Sequence, residues 1–372
     1  MQQGARVAAN AAPVVEQIRR VYGDVHVKCP KGKPWKRDKA GPVLVVQLAA
    51  TLVLVLVASD AFTNAVEWLG VKLNLTRSAA GAVIAAIGSS LPESVVAIVA
   101  LLVLRDARSQ EIGIGAVLGA PFMLGTVVFS LIGVIALMRR KTPQASSLVV
   151  PVKPTLFGAS LFFATFALAL AASFVHSFVV HAIAACIVLA AYAIYLFYHL
   201  RSEQLESEPS PPRLRLAPFL REPPTAAVIL QLAIALGVTV FASRWFVVTV
   251  GAAATALGLM PFIVSLFLSP IATELPEASN VILWMGRRED SLALANVIGA
   301  MMFQTSITCA IAMLATPWQL QTSAYAAAGA TLIAVGIVIV SMLVRKRVEP
   351  LAFAIAGLFY LGYIAAITRL LH

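Results

Sequence analysis

Gly88-Ser89-Ser90-Leu91-Pro92-Glu93 lies inside the apolar run 78–104, and 184 positions later Ala272-Thr273-Glu274-Leu275-Pro276-Glu277 lies inside the apolar run 258–286. Each run exceeds the roughly 20 apolar residues a membrane-spanning helix needs, and each carries Leu-Pro-Glu midway along its length. A second pair follows at an offset of 180, Gly115-Ala116-Val117-Leu118-Gly119-Ala120 over Ala295-Asn296-Val297-Ile298-Gly299-Ala300. Two short motifs in the same order point to an internal repeat.

Outward from these motifs, further apolar blocks fall at about 43–66, 112–138, 155–173, 177–199, 226–250, 291–315, 323–344 and 350–369, ten in all with the first two. In lipid each segment must satisfy its own backbone hydrogen bonds, so the expected fold is an all-α polytopic membrane protein. The longest polar break, 200–224, holds Glu203, Glu206, Glu208 and several prolines and divides the helices five and five. The expected organisation is therefore a basic extramembrane extension (1–42), a five-helix repeat (43–199), a polar linker (200–224) and a second five-helix repeat (225–372). With five helices per half, the second half enters from the opposite side. Such inverted-topology repeats are a recurring basis of alternating-access transport.

Composition agrees: 60% of the 372 residues are hydrophobic and 12% charged, against about 25% charged in an ordinary soluble domain. The net charge of +11 does not imply nucleic acid, because Lys and Arg cluster between apolar blocks. Counted on alternate loops they mark one side, with Lys72, Arg139, Arg140, Lys141, Arg213, Arg215, Arg287, Arg288, Arg345 and Arg347 among them, as cytoplasmic,. Both termini then lie outside, against the pull of the basic stretch Lys28–Lys39. Residues 1–42 lack the apolar core of a cleavable signal peptide. Cys29, Cys186 and Cys309 are too far apart for metal-ligand spacing, and the five histidines form no cluster,.

A helix-interior proline has no N–H and crowds the carbonyl four residues back. Pro92 should thus free the carbonyl of Gly88, and Pro276 that of Ala272. Glu93 follows Pro92 and shares a helical face with Ser89 and Ser90; Glu277 relates in the same way to Thr273 and Glu274,. Carboxylate, hydroxyl and loosened carbonyls together are the oxygen ligands a hard cation takes. A membrane-buried carboxylate is a functional hypothesis by default. The bland alternatives are a protonated glutamate in a helix contact and a proline packing kink. Two readings of Glu274 stand: a third carboxylate of the site, or a partner of a basic group elsewhere. Asn296 and Gln304, eight residues apart on one helix, offer amide oxygens, with an interhelical hydrogen bond as the alternative for either,. Asp60, Glu67 and Arg244, read as nearer their helix ends, suit snorkelling or structural pairing.

At these residues the chain resembles the sodium/calcium exchanger, or calcium/cation antiporter, superfamily, whose two repeats each carry Gly-Thr/Ser-Ser-Leu-Pro-Glu and then Gly-Asn-x-x-Gly-Ser. The resemblance covers about 43–138 and 226–315. It implies that Glu93 with Ser89 and Ser90, and Glu277 with Thr273, bind calcium. This chain departs from the pattern where Ala120 and Ala300 replace serines, Ala116 replaces asparagine, Glu274 replaces a serine, and Leu124 and Gln304 stand where sodium/calcium members carry a polar or acidic side chain. Those losses fall on sodium-binding groups, and Gln304 is similar to proton/calcium exchangers.

The expected function is a secondary antiporter in the cell (inner) membrane that exchanges calcium, or another divalent cation, for protons or sodium, with metal ligands Glu93, Glu277, Ser89, Ser90, Thr273, Glu274, Asn296 and Gln304. Its partners are the lipid bilayer and small inorganic cations, and no organic cofactor is expected. The rivals are a sodium/proton exchanger and a non-transporting calcium sensor on the same fold. An intramembrane enzyme would need a metal cluster, a Gly-x-Gly-Asp stretch or an aspartate pair at membrane depth, none of which the sequence contains,.

Overall fold

The computed structural model describes residues 37–73, 94–139, 148–201 and 212–370. The chain divides into two units, Met1–Pro42 and Val43–His372. Of the first only 37–42 is described, the opening turns of a helix. Glu93, Ser89, Ser90 and Pro92 lie outside the described residues, as does most of the extension 1–42.

Eleven helices account for the described chain. They are α1 (Arg37–Lys72), α2 (Ser94–Leu104), α3 (Ala107–Met138), α4 (Val152–Ala172), α5 (Phe178–Arg201), α6 (Thr225–Leu257), α7 (Pro261–Thr273), α8 (Leu275–Gly286), α9 (Asp290–Ala315), α10 (Thr322–Arg345) and α11 (Pro350–Leu370). Eight of them are long and apolar enough to cross a membrane. Of the run 78–104 only 94–104 is described; the other sequence blocks correspond to these helices with one correction, that the run 258–286 is not one helix but two, because the chain breaks at Glu274. α6 also runs longer than its apolar block, ending at Gly258 with a φ of 66° that glycine tolerates,. Arg244 consequently sits thirteen residues from the end of a 33-residue helix, nearer its middle than its tip, and is exposed.

Burial separates central from peripheral helices. In α9 and α3, 78% and 61% of the most apolar window is buried, against 22% in α1 and 28% in α6. α3 and α7 run side by side in the same direction and touch backbone to backbone: a Cβ on Gly115 would lie 2.7 Å from the Phe262 carbonyl, and one on Gly119 2.6 Å from that of Leu266. This small-x-x-x-small spacing is how membrane helices gain packing when lipid is as apolar as their side chains. Pro270 cannot donate to the Leu266 carbonyl, and Gly119 covers it instead,. The far half of α3 packs on α11, where the Ser130 hydroxyl donates to the Ala354 carbonyl at 3.0 Å.

Among the described residues, two π turns interrupt the central helices, Leu124–Val128 in α3 and Gln304–Thr308 in α9, at the same 180-residue offset as the glycine motifs, and a third, Val99–Leu104, ends α2 without a counterpart in α8. One large hydrophobic cluster joins α2–α5 and α7–α11 with the second half of α6. Two small clusters stand apart from it: Ala61, Phe62 and Val66 against Ala235, and Trp68 against Leu214 and Val228. Both join α1 to the first half of α6, and the second includes the end of the linker.

Candidate functional site

α7 begins at Pro261, which suits a first helical turn because its missing N–H would lack an intrahelical acceptor anyway,. It ends because Pro276 cannot donate to the Ala272 carbonyl,. Glu274 takes up the break with φ −96° and ψ −2°. Its N–H still donates to the Pro270 carbonyl at 2.7 Å, and its own carbonyl accepts from the Ala278 N–H at 3.0 Å, so the chain is bent rather than severed. α8 then starts with Glu277 in its first turn, where the helix dipole favours a carboxylate,. At 1.5 Å per residue the break lies about 20 Å from the start of α7 and about 18 Å from the end of α8, the middle of the span,.

Glu274 and Glu277 are both fully buried, at 0% exposure. The Gln304 amide donates from Nε2 to Oε1 of Glu274 at 2.8 Å, and the Thr273 hydroxyl lies 3.3 Å from the same oxygen. Glu274 therefore faces the α7–α9 contact and accepts from an amide there. Gln304 opens the π turn of α9, and four residues on, Thr308 meets Ser94 hydroxyl to hydroxyl at 2.6 Å. α9 thus joins the α7–α8 break to the start of α2, where Ser94 directly follows Glu93 in the chain. Between these contacts Ser306 is wholly buried, and its hydroxyl has no hydrogen-bond partner among the described residues.

The structure thus brings together Thr273, Glu274 and Gln304, with Glu277 buried in the first turn after the break. Asn296 lies two turns earlier on α9, and its buried Nδ2 has no acceptor among the described residues. The two halves are not alike here: the first-half position equivalent to Gln304 is Leu124, buried and apolar. Among the described residues no three His, Cys, Asp or Glu side chains gather as a metal-holding group. Ser94, Ser306 and Thr308 are site-lining hydroxyls that the sequence motifs do not single out. For Ser306 and Thr308 the only signal is the polar run Gln304-Thr305-Ser306 and Thr308 inside an apolar helix.

Two of the remaining carboxylates stand in structural pairs. Asp60 accepts from Nε and Nη2 of Arg215 at 2.7 and 3.0 Å. Asp290, at the start of α9, accepts from Arg139 at 2.8 Å while the Val149 N–H approaches its other oxygen at 3.4 Å. Outside the spans, Asp106 caps α3 by accepting from the N–H and hydroxyl of Ser109,. Partial burial opposes its ionisation, but those hydrogen bonds outweigh it and hold the carboxyl below its ordinary range,.

The family model described as sodium/calcium exchanger protein matches residues 43–201 and 227–371. Inner membrane protein YrbG of Escherichia coli (strain K12) is 23% identical over 312 residues, 82% of this chain and 89% of that protein. The crystal structure of the H+/Ca2+ exchanger CAX superposes with a TM-score of 0.70 at 15% identity, covering 98% of this chain and 89% of that one. The sodium-calcium exchanger NCX_Mj superposes with a TM-score of 0.54 at 20% identity, covering 87% and 98%.

Proposed function

Because the chain belongs to the sodium/calcium exchanger family and is a multi-pass integral membrane protein, we propose that it is a secondary active cation antiporter that moves calcium, with protons or sodium as the counter-ion. The observation that carries this reading is the pair of fully buried glutamates, Glu274 and Glu277, at a proline-made break in mid-span. Insertion scales put a carboxylate there at a cost of roughly 2.5–3.5 kcal/mol. A divalent cation offsets two such charges, and carboxylates, hydroxyls and free carbonyls are the ligands it accepts.

In this mechanism Glu93 and Glu277 supply the principal carboxylates. Ser89, Ser90 and Thr273 add hydroxyls, and the carbonyls released by Pro92 and Pro276 complete the shell. Glu274 adds a third carboxylate, oriented by Gln304. Turning the Asn296 amide over would place Oδ1 where the orphaned Nδ2 now lies, since amide orientation is an assignment,. On the return step protons or sodium replace calcium, so the site does not cross empty and fully charged. We favour the proton: the Leu124 side chain offers sodium no oxygen.

The test is calcium uptake into proteoliposomes driven by a pH gradient or by a sodium gradient, with Glu277→Gln alongside. Uptake that disappears in the variant is the expected result, and normal flux in the variant would end this mechanism. Sodium/proton exchange indifferent to micromolar calcium would favour the monovalent carrier, and calcium binding without flux the sensor.

A further inference from the structure

The end of the linker is not a loose connection. The Pro212 carbonyl accepts from Nδ2 of Asn64 at 3.0 Å and from Nε1 of Trp68 at 2.8 Å. The Arg215 N–H donates to Oδ1 of Asn64 at 3.1 Å, and the Leu216 N–H to Oε1 of Gln231 at 2.8 Å. Gln231 in turn donates to the Ala61 carbonyl and to Asn64, so α1, α6 and residues 212–216 are clamped together. Leu214, 1% exposed, seats the segment on Trp68 and Val228.

What this clamp holds outward is aromatic and cationic. Phe219 is 77% exposed and Leu216 54%, with Arg213 and Arg221 exposed beside them in sequence. Arg213 spends one N–H on the Pro218 carbonyl, which folds the turn, and keeps the rest of its guanidinium outward. Among the acidic side chains of the described residues near this segment, Asp60 is taken by Arg215, Glu67 is half-buried and engaged, and Glu222 is exposed beside the two arginines; Glu203, Glu206 and Glu208 of the linker lie outside the described residues. Lys72 at the end of α1 adds to the positive side. The depth also fits. The span Val43–Lys72 is 30 residues, about 45 Å, whereas the hydrocarbon core is about 30 Å. About ten residues of α1 therefore lie outside the core, and the polar contacts of Asp60, Asn64 and Trp68 with Arg215 and Pro212 place much of that excess at this end, with the clamped segment at the headgroup level,.

We propose that Pro212–Glu222 is a built anchor for anionic phospholipid headgroups: Arg213 and Arg221 bind the phosphates while Phe219 and Leu216 enter the acyl boundary. A rigid aromatic wedge flanked by arginines at the ends of two spans meets both demands of that interface.

The experiment is native mass spectrometry of the full chain released from bilayers of phosphatidylcholine with phosphatidylglycerol, counting retained phosphatidylglycerol. The comparison set is Arg213→Gln/Arg221→Gln, the charge-keeping Arg213→Lys/Arg221→Lys, and Arg345→Gln/Arg347→Gln, which removes two charges elsewhere on the same side. The first should bind phosphatidylglycerol about 30-fold more weakly, corresponding to about 1 kcal/mol for each basic side chain. The other two should stay near the parent chain. Equal loss in the Arg345/Arg347 variant, or no loss in the first, overturns the proposal. Either result is independent of whether calcium is carried.

Discussion

Gly119→Ala tests the architecture without assuming any function. The added methyl would fall 2.6 Å from the Leu266 carbonyl oxygen, 2.8 Å from Cγ of Pro270 and 3.2 Å from the Leu266 Cα. Two of these are backbone atoms and the third belongs to a ring, so no side-chain rotation relieves the overlap. α3 and α7 would have to part by about 0.8 Å to bring the closest approach to ordinary contact. Gly115, one turn away, meets the Phe262 carbonyl equally closely, so the whole seam opens rather than one point. Overpacking of this kind costs about 1–3 kcal/mol. Because α7 carries the Glu274 break, the displacement also moves the site. Thermal unfolding can be followed by thiol labelling with Cys29 and Cys186 changed to serine, leaving fully buried Cys309 as the reporter. Gly119→Ala should lower the midpoint. Gly237→Ala in α6, with nothing within 4 Å, should be neutral or stabilising by about 0.5–1 kcal/mol,. An unchanged midpoint for Gly119→Ala would refute the close α3–α7 packing.

Gln304→Leu reproduces the first-half residue Leu124 and strips Glu274 of its amide donor; by analogy with supporting hydrogen bonds at metal sites, apparent calcium affinity should fall about 10–100-fold with little change in folding,. A concentration series of uptake reads this, and an affinity within twofold of the parent would contradict the assigned role. Arg139→Met leaves Asp290 buried without its cation and should cost about 3–5 kcal/mol, much of it recovered by Arg139→Met/Asp290→Leu,. Parallel melts of the two variants decide it. Asp106→Ala should cost about 1 kcal/mol through the lost cap,. Since the folded carboxyl lies below its ordinary value of 3.8, the charged cap's contribution is fully present above about pH 4 and fades as pH falls through the lower folded value,. Asp106→Asn should remove that acid dependence, which melts between pH 3 and pH 6 would register.

The proline rule correctly marked the break before Pro276, because a missing N–H is a property of the residue itself. Hydrophobic length likewise identified the spanning segments. The π turns were not legible: one extra residue in a helix leaves no mark in composition or periodicity. The orientation of Glu274 stayed open between two readings because its donor, Gln304, is thirty residues away on another helix. Structural pairing of Asp60 was foreseeable as a type of contact, but Arg215 is 155 residues distant and reaches it only because Asn64 and Gln231 pin the linker. Arg244 was misjudged because α6 extends past its apolar block.

The matched π turns also bear on ancestry. Each represents a single-residue insertion into an α-helix, and the two begin 180 positions apart, in step with the glycine motifs. One insertion in a five-helix ancestor, later doubled, explains both with a single event, where independent insertions would need a coincidence. That ancestor had to enter the membrane in either orientation and assemble with its own inverted copy, which a strong charge bias would have prevented.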